Sequence, residues 1–274
     1  MKLTPLAVLS TVGVASSLLH IYRHRDNTAR AYRLDALALF SWFALWWATS
    51  SSFAEQAMSD LPLHMISHII VMFLVPIALI YSGAGSSLAQ MLFTAEVFPG
   101  ASIASCRWNH PLLGFFALNG VMVFSHVPAV FNATMQSTWA MDWLMEPAFL
   151  LSGLYFFSFV VQGPQRKLRV KSRWQLLLVL GTMGEMLILA MAMSIFTKVA
   201  WYPSMSAVSA GGMNMGSGAH LTAHDFSQQQ LAAAILWVCG DFWAVPCLIV
   251  IVRRIISRDG GLLVALERQS ARFS

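Results

Sequence analysis

Long apolar segments are the feature that most restricts the fold of this chain. An α-helix rises about 1.5 Å per residue, so about 20 apolar residues cross the roughly 30 Å hydrocarbon core of a bilayer. The segments of this kind are roughly Pro5–Tyr22, Arg33–Phe53, Leu63–Gly83, Pro111–Phe131, Trp143–Gln162, Trp174–Phe196 and Gln229–Val252. The sequence therefore predicts an all-α fold, a polytopic membrane bundle of seven transmembrane helices within residues 1–252.

The composition agrees with a membrane protein and argues against other classes. Charged residues make up 11% of the chain, less than half the share of about 25% that is usual in soluble domains. The net charge of +5 arises in the links between apolar segments. No basic patch is interleaved with aromatic residues in a polar region, so we expect no nucleic-acid partner. Three cysteines without a Cys-x-x-Cys pair argue against a disulfide framework or a thiolate metal site.

Positive charges predict the orientation of the helices. Four Arg lie around the first link, Arg107 lies in the third, five Lys or Arg lie in the fifth, and five Arg follow the last segment. These regions fall on one side of a seven-helix bundle, and the side rich in Lys and Arg is cytoplasmic. We therefore expect an external N-terminus, an external Met- and His-rich loop at residues 197–228 and a basic cytoplasmic tail at residues 253–274. A signal peptide in the first segment is the alternative, but it would export the arginine cluster that follows.

Histidines are concentrated at the predicted outer face. His64 and His68 lie four residues apart at the start of the third segment, so a helix presents both imidazoles on one side. His126 lies near the outer end of the fourth segment, at a similar depth of roughly 8 Å. Asp142 and Glu146 begin the fifth segment with the same spacing. The pattern predicts a metal site formed by these five residues, and histidines that only join helices by hydrogen bonds are the alternative.

The predicted external loop has a composition suited to copper. It is rich in Gly, Ser and Ala, and it carries Met213 and Met215 followed by His220 and His224. Thioether sulfur is a soft ligand that suits Cu(I), and imidazole binds copper in either oxidation state. We interpret the loop as a tether that captures copper, with a low-complexity linker as the alternative.

Two acidic residues lie near the middle of predicted spans. Glu185 lies in the sixth segment and Asp241 in the seventh. A charge facing lipid at this depth is costly. We expect protonated carboxyl groups that form hydrogen bonds between helices, and a proton or cation path is the alternative.

Five stretches together resemble a known family, the CtaG-like cytochrome c oxidase assembly family. In chain order they are HMISHIIVMFLVPIALIYSG, NHPLLGFF, SHVPAVFNATM, FLLSGLYFF and SQQQLAAAILWVCG. The resemblance implies a polytopic bacterial membrane protein that supplies copper to a terminal oxidase. The chain departs from the family pattern at Ser125, where Trp is common, and at Asp142 and Glu146, where two histidines are common. Carboxylates are harder ligands than imidazoles.

The sequence and the resemblance together favour a non-enzymatic copper metallochaperone. We expect copper as its cargo, a copper-receiving oxidase subunit and the lipid bilayer as its partners, and the bacterial cytoplasmic membrane as its location. A copper permease is the main alternative. A haem b carrier that uses His68 and His126 as axial ligands is another alternative. A di-iron protein is a third, since the chain has three His-x-x-x-His pairs, but the predicted topology puts one pair on the cytoplasmic side and two outside, so they cannot form one site. Zinc protease chemistry is disfavoured because Met65 occupies the position of the general-base Glu.

Overall fold

A computed structural model describes residues 4–23, 29–84, 110–161, 170–198, 201–202 and 223–258 of the chain. The regular structure in these ranges is helical, which confirms the predicted all-α class. We label the helices α1 (Pro5–Arg23), α2 (Ala29–Ser50), α3 (Ser52–Ala57), α4 (Leu61–Ser82), α5 (Pro111–His126), α6 (Pro128–Met135), α7 (Thr138–Val160), α8 (Ser172–Ser194) and α9 (Ala223–Arg258).

Five of these helices are long and apolar enough to cross a membrane, namely α1, α4, α7, α8 and α9. The bent pair α5 and α6 gives a sixth if it is counted as one span. Helix α2 is 22 residues long but is not among them, because Arg33 and Asp35 lower the hydropathy of its first third. The protein is therefore a multi-pass membrane protein, while the count of seven spans and the orientation of the termini stay predictions.

Two of the spans contain a π-helical turn that ends two residues before a proline. In α4 the turn is Ile70–Leu74 and precedes Pro76, and in α7 it is Met141–Met145 and precedes Pro147. Proline lacks an N–H group, and its ring clashes with the carbonyl group four residues earlier. A wider turn relieves that clash and lets the helix continue across the membrane.

The two helices with π turns pack closely against each other through a glycine. A Cβ atom at Gly153 in α7 would lie 2.2 Å from the carbonyl oxygen of Met72 in α4. Met72 lies inside the π turn, four residues before Pro76. Glycine therefore lets the backbone of α7 approach the irregular turn of α4.

The break between α5 and α6 follows directly after His126. The two helices meet at an angle of 76°. Val127 has extended backbone angles (φ −62°, ψ 123°), as expected for a residue that precedes proline, here Pro128. The bend turns α6 across the end of the bundle, where the ring of Phe131 lies 5.4 Å from that of His64.

Helices α4 and α7 form the centre of the bundle and are 67% and 61% buried, against 39% for α8 and 33% for α9. An aromatic cluster joins α4, α7 and α9, because the Trp243 ring lies 5.0 Å from Phe73 and 5.3 Å from Phe157. Helix α9 continues past Val252, where the predicted span ends, to Arg258, and residues 259–274 of the predicted tail are outside the described ranges.

Candidate metal centre

The local sequence fixes where α4 begins and therefore where its histidines point. The side chain of Asp60 caps the helix by accepting a hydrogen bond from the Leu63 N–H at 2.9 Å, and Pro62 is favourable in the first turn. The Ser67 hydroxyl donates to the carbonyl oxygen of Ala48 in α2 at 3.0 Å, which fixes the rotation of α4 in the bundle.

His64, His68 and His126 come together inside the protein, as the sequence analysis expected. The ring centroids of His64 and His68 are 4.1 Å apart, and those of His68 and His126 are 6.1 Å apart. Their exposed fractions are only 3%, 8% and 3%. We call this region, formed by the start of α4 and the end of α5, the histidine end of the bundle.

The hydrogen bonds of His126 define the tautomer of its neutral ring. Nδ1 lies 2.7 Å from the carbonyl oxygen of Met122, which can only accept, so Nδ1 carries the proton. Nε2 of the neutral ring then holds a lone pair, the arrangement typical of a histidine that binds a metal through one nitrogen. The Ser125 hydroxyl also lies 3.2 Å from Nδ1.

Several imidazole nitrogens lack hydrogen-bond partners. Among the described residues no partner is found for Nε2 of His64 or for either ring nitrogen of His68, although these atoms are buried. The main chain of Ala57 is a hydrogen-bond partner of His64. A buried polar group left unpaired costs about 1–3 kcal/mol, so nitrogens of this kind are expected where a ligand completes the site.

Aromatic side chains surround the three histidines. Phe149 of α7 lies 4.3 Å from the His68 ring, and Phe131 of α6 covers His64. Tyr202 packs on Phe131 at 4.2 Å, and its hydroxyl donates a hydrogen bond to the carbonyl oxygen of His126 at 3.0 Å. Burial raises the pKa of Tyr202, so the hydroxyl keeps the proton that it donates.

A buried glutamine positions Tyr202 in turn. Gln229 of α9 donates from Nε2 to the carbonyl oxygen of Met193 at 2.6 Å, and its Oε1 accepts from the Trp201 N–H at 2.5 Å. The segment after α8 is thereby held against the bundle. This contact gives a structural role to one of the glutamines that precede the last span.

The other predicted ligands are placed less directly. Asp142 and Glu146 are half-buried in the first turns of α7, and Glu146 lies one turn before Phe149, the residue that contacts His68. Met213, Met215 and His220 lie outside the described residues, and of His224 only the backbone is described, in the first turn of α9. Within the described part of the chain, no group of three or more His, Cys, Asp or Glu side chains is arranged to hold a metal.

Two contacts of this region were not anticipated from the sequence. The Met65 Sδ atom lies 3.3 Å from Nε2 of His126, although Met65 was considered only as a residue that excludes a protease. The signal for it was its position between His64 and His68, next to His64 on the helix. Tyr202 had no sequence signal, because it contacts His126 from a segment 76 residues away.

The two mid-span acids do not form the expected interhelical hydrogen bonds with described residues. Both carboxylate oxygens of Glu185 in α8 are shielded, and neither has a hydrogen-bond partner there. Asp241 lies on the exposed side of α9, next to Phe242, which is 79% exposed.

These features define a class of protein: a polytopic helical membrane protein with a buried histidine cluster near one end of its bundle. The chain belongs to the cytochrome c oxidase caa3 assembly factor family (Caa3_CtaG), whose family model matches residues 18–258. No curated protein and no solved structure matches the chain. The family resemblance seen in the sequence is thus confirmed.

Proposed function

We propose that this protein binds copper at the histidine end of its bundle and supplies it to a terminal cytochrome c oxidase during assembly. The observation that carries the proposal is the cluster of His64, His68 and His126, three buried imidazoles on two adjoining spans. Nε2 of His64 and both ring nitrogens of His68 have no hydrogen-bond partner among the described residues. Membership of an oxidase assembly family supplies the partner, an oxidase.

The chemistry of the cluster suits copper as a cargo. Imidazole binds both Cu(I) and Cu(II), and an aromatic shell of Phe131, Phe149 and Tyr202 limits access of water. The ring centroids of His68 and His126 are 6.1 Å apart. Because metal–nitrogen bonds are only about 2.0 Å long, these rings must rotate toward a common ion to bind it. Asp142 and Glu146 are proposed as further ligands, reached from α7.

Delivery follows from the position of the site near one end of the bundle. We propose that this end faces the outside of the bacterial cytoplasmic membrane, where Met213, Met215, His220 and His224 capture copper. The ion then passes to the copper-receiving subunit of the oxidase. Such a role needs ligand exchange and no catalysis.

Copper binding by the purified full-length protein in detergent tests the proposal. His68→Gln and His126→Gln should each strongly reduce bound copper while the protein stays folded and inserted. His110→Asn is the matched control: this exposed residue caps the start of α5, the other end of the helix that carries His126, and Asn preserves the cap. Wild-type stoichiometry and affinity in both variants would show that the histidines are structural.

Cells carrying the same variants test delivery. Assembled oxidase should fall with His68→Gln and His126→Gln and stay normal with His110→Asn. Normal oxidase levels in variants that no longer bind copper would contradict copper delivery. Copper uptake into protein-containing liposomes would instead favour the permease alternative.

A further inference from the structure

We propose that the Met65 thioether is a copper ligand that acts together with His126 and makes the site selective for Cu(I). This inference rests on the proposed copper-binding function. It starts from one contact, the 3.3 Å approach between the Met65 Sδ atom and Nε2 of His126.

Neither atom of this contact carries a proton, which points to a shared cation. The Nδ1 proton of the neutral His126 ring is used on the Met122 carbonyl, so Nε2 presents a lone pair. Thioether sulfur has no proton and also presents lone pairs. Two electron-pair donors therefore face each other in a buried site, with no hydrogen between them. A cation bound by both atoms satisfies both.

The distance is the one that two ligands of a single ion require. With metal bonds of about 2.0 Å to nitrogen and about 2.3 Å to sulfur, a separation of 3.3 Å corresponds to an angle of about 100° at the metal. That angle is close to tetrahedral. The separation of these two atoms already suits a shared ion, whereas the rings of His64 and His68 must rotate to reach the same point.

The softness of the donors determines which ion fits. The thioether sulfur of Met65 favours Cu(I) over harder ions. Imidazole also binds Cu(I), so the two ligands are compatible with the same ion. Met65 is fully buried, so its thioether is fixed at the site.

Copper X-ray absorption on the full-length protein tests the inference directly. The protein is loaded with Cu(I) under anaerobic reducing conditions, with Met205, Met213 and Met215 replaced by Ser so that sulfur from the loop at residues 197–228 is absent. A sulfur neighbour at bonding distance is expected in this background. A spectrum with nitrogen and oxygen neighbours alone would overturn the assignment. The measurement leaves Met65 unchanged, so a failure to fold caused by a substitution there cannot affect it.

Affinity measurements with a competing Cu(I) chelator give a second readout. Met65→Leu should weaken Cu(I) binding by about tenfold or more, since even outer partners of metal ligands change affinity by about 10- to 100-fold. Zn(II) binding should change much less. Met72→Leu is the matched control, a buried methionine on the same helix. Unchanged Cu(I) affinity in Met65→Leu would overturn the role of sulfur.

The two proposals fail in different ways. If His68→Gln and His126→Gln lose copper while Met65→Leu retains it, the histidine site stands and the thioether ligand is wrong. If all three variants bind copper as the wild type does, the proposed histidine site is wrong together with the thioether ligand.

Discussion

Helices α4 and α9 have nearly equal mean hydropathy, yet they lie in opposite environments. Two thirds of the apolar window of α4 is buried, against one third for α9. Helix α4 contains a π turn, a close backbone contact and two shielded histidines. Helix α9 is continuous, and it exposes Asp241 at the middle of the span.

The difference shows that position in the bundle decides what a polar residue can do. His64 and His68 contact the rings of His126, Phe131 and Phe149 on three neighbouring helices, so their unpaired nitrogens can serve a bound ion. Asp241 has protein on one side only. The contrast predicts large effects for changes at the centre of the bundle and small ones on the exposed face of α9.

The largest effect is expected at the contact between α7 and α4. Gly153→Ala places a Cβ atom 2.2 Å from the Met72 carbonyl oxygen, a backbone atom that cannot move away without shifting α4. Overpacking of this kind costs roughly 1–3 kcal/mol or more. We expect a lower melting temperature in detergent and weaker copper binding, because the histidines lie on the displaced helix.

Gly184→Ala in α8 is the control for that substitution. A Cβ atom at Gly184 has no neighbour within 4 Å, and Ala favours a helix by up to about 1 kcal/mol. Its melting temperature should be unchanged or higher. Equal destabilisation by both substitutions would contradict the central position of the α4–α7 contact.

The next effect concerns the segment that carries Tyr202. Gln229→Leu removes the partner of the Met193 carbonyl and of the Trp201 N–H, two backbone groups in a buried region. Unpaired groups of this kind cost about 1–3 kcal/mol. We expect a lower melting temperature and faster proteolysis of the segment before α9. Gln230→Leu changes the exposed neighbour on the same helix and should do neither.

How much of this could be predicted from the sequence depends on how local each feature is. The pairing of His64 with His68 follows from helical periodicity. The depth of His126 was predicted for a helix that continues to Phe131, whereas the helix ends at His126 and the chain bends there by 76°. The contact of Met65 with His126 depends on the rotation of α4 against α5. That rotation is set by tertiary contacts such as Ser67 with Ala48, which no local pattern contains.

The start of α7 shows a different limit of sequence analysis. Met141 and Met145 are buried and Asp142 and Glu146 are half-buried, as the i, i+4 spacing of each pair allows. The π turn widens the helix locally, so it rotates the residues before it relative to those after it, and an α-helical wheel of the sequence does not show this rotation. Asp241 was expected to form a hydrogen bond between helices, since ionisable residues in spans usually face the bundle interior, yet α9 presents it outward.

A smaller effect is expected from Tyr202→Phe, which removes the hydrogen bond to the His126 carbonyl. The loss should be about 0.5–1.5 kcal/mol, with copper binding retained. Because burial raises the pKa of Tyr202 in the folded protein, the unfolded chain releases this proton first as the pH rises. The wild type should therefore lose stability above about pH 10, the ordinary pKa of tyrosine.

Melting temperatures of the two proteins between pH 8 and pH 11 measure that contribution. The difference between wild type and Tyr202→Phe should shrink as the pH increases. Parallel curves would show that Tyr202 ionises equally in the folded and unfolded states, which contradicts its burial.

The smallest effect is expected on the exposed side of α9. Asp241 makes no hydrogen bond or ion pair to the described residues, so Asp241→Asn removes a charge without removing a contact there. Exposed substitutions of this kind usually change stability by less than about 0.5 kcal/mol. Copper binding should be unchanged, because the site is formed by other helices. A clear drop in melting temperature would show that another group contacts Asp241 in the isolated protein, and the contrast between a shielded α4 and an open α9 would then be wrong.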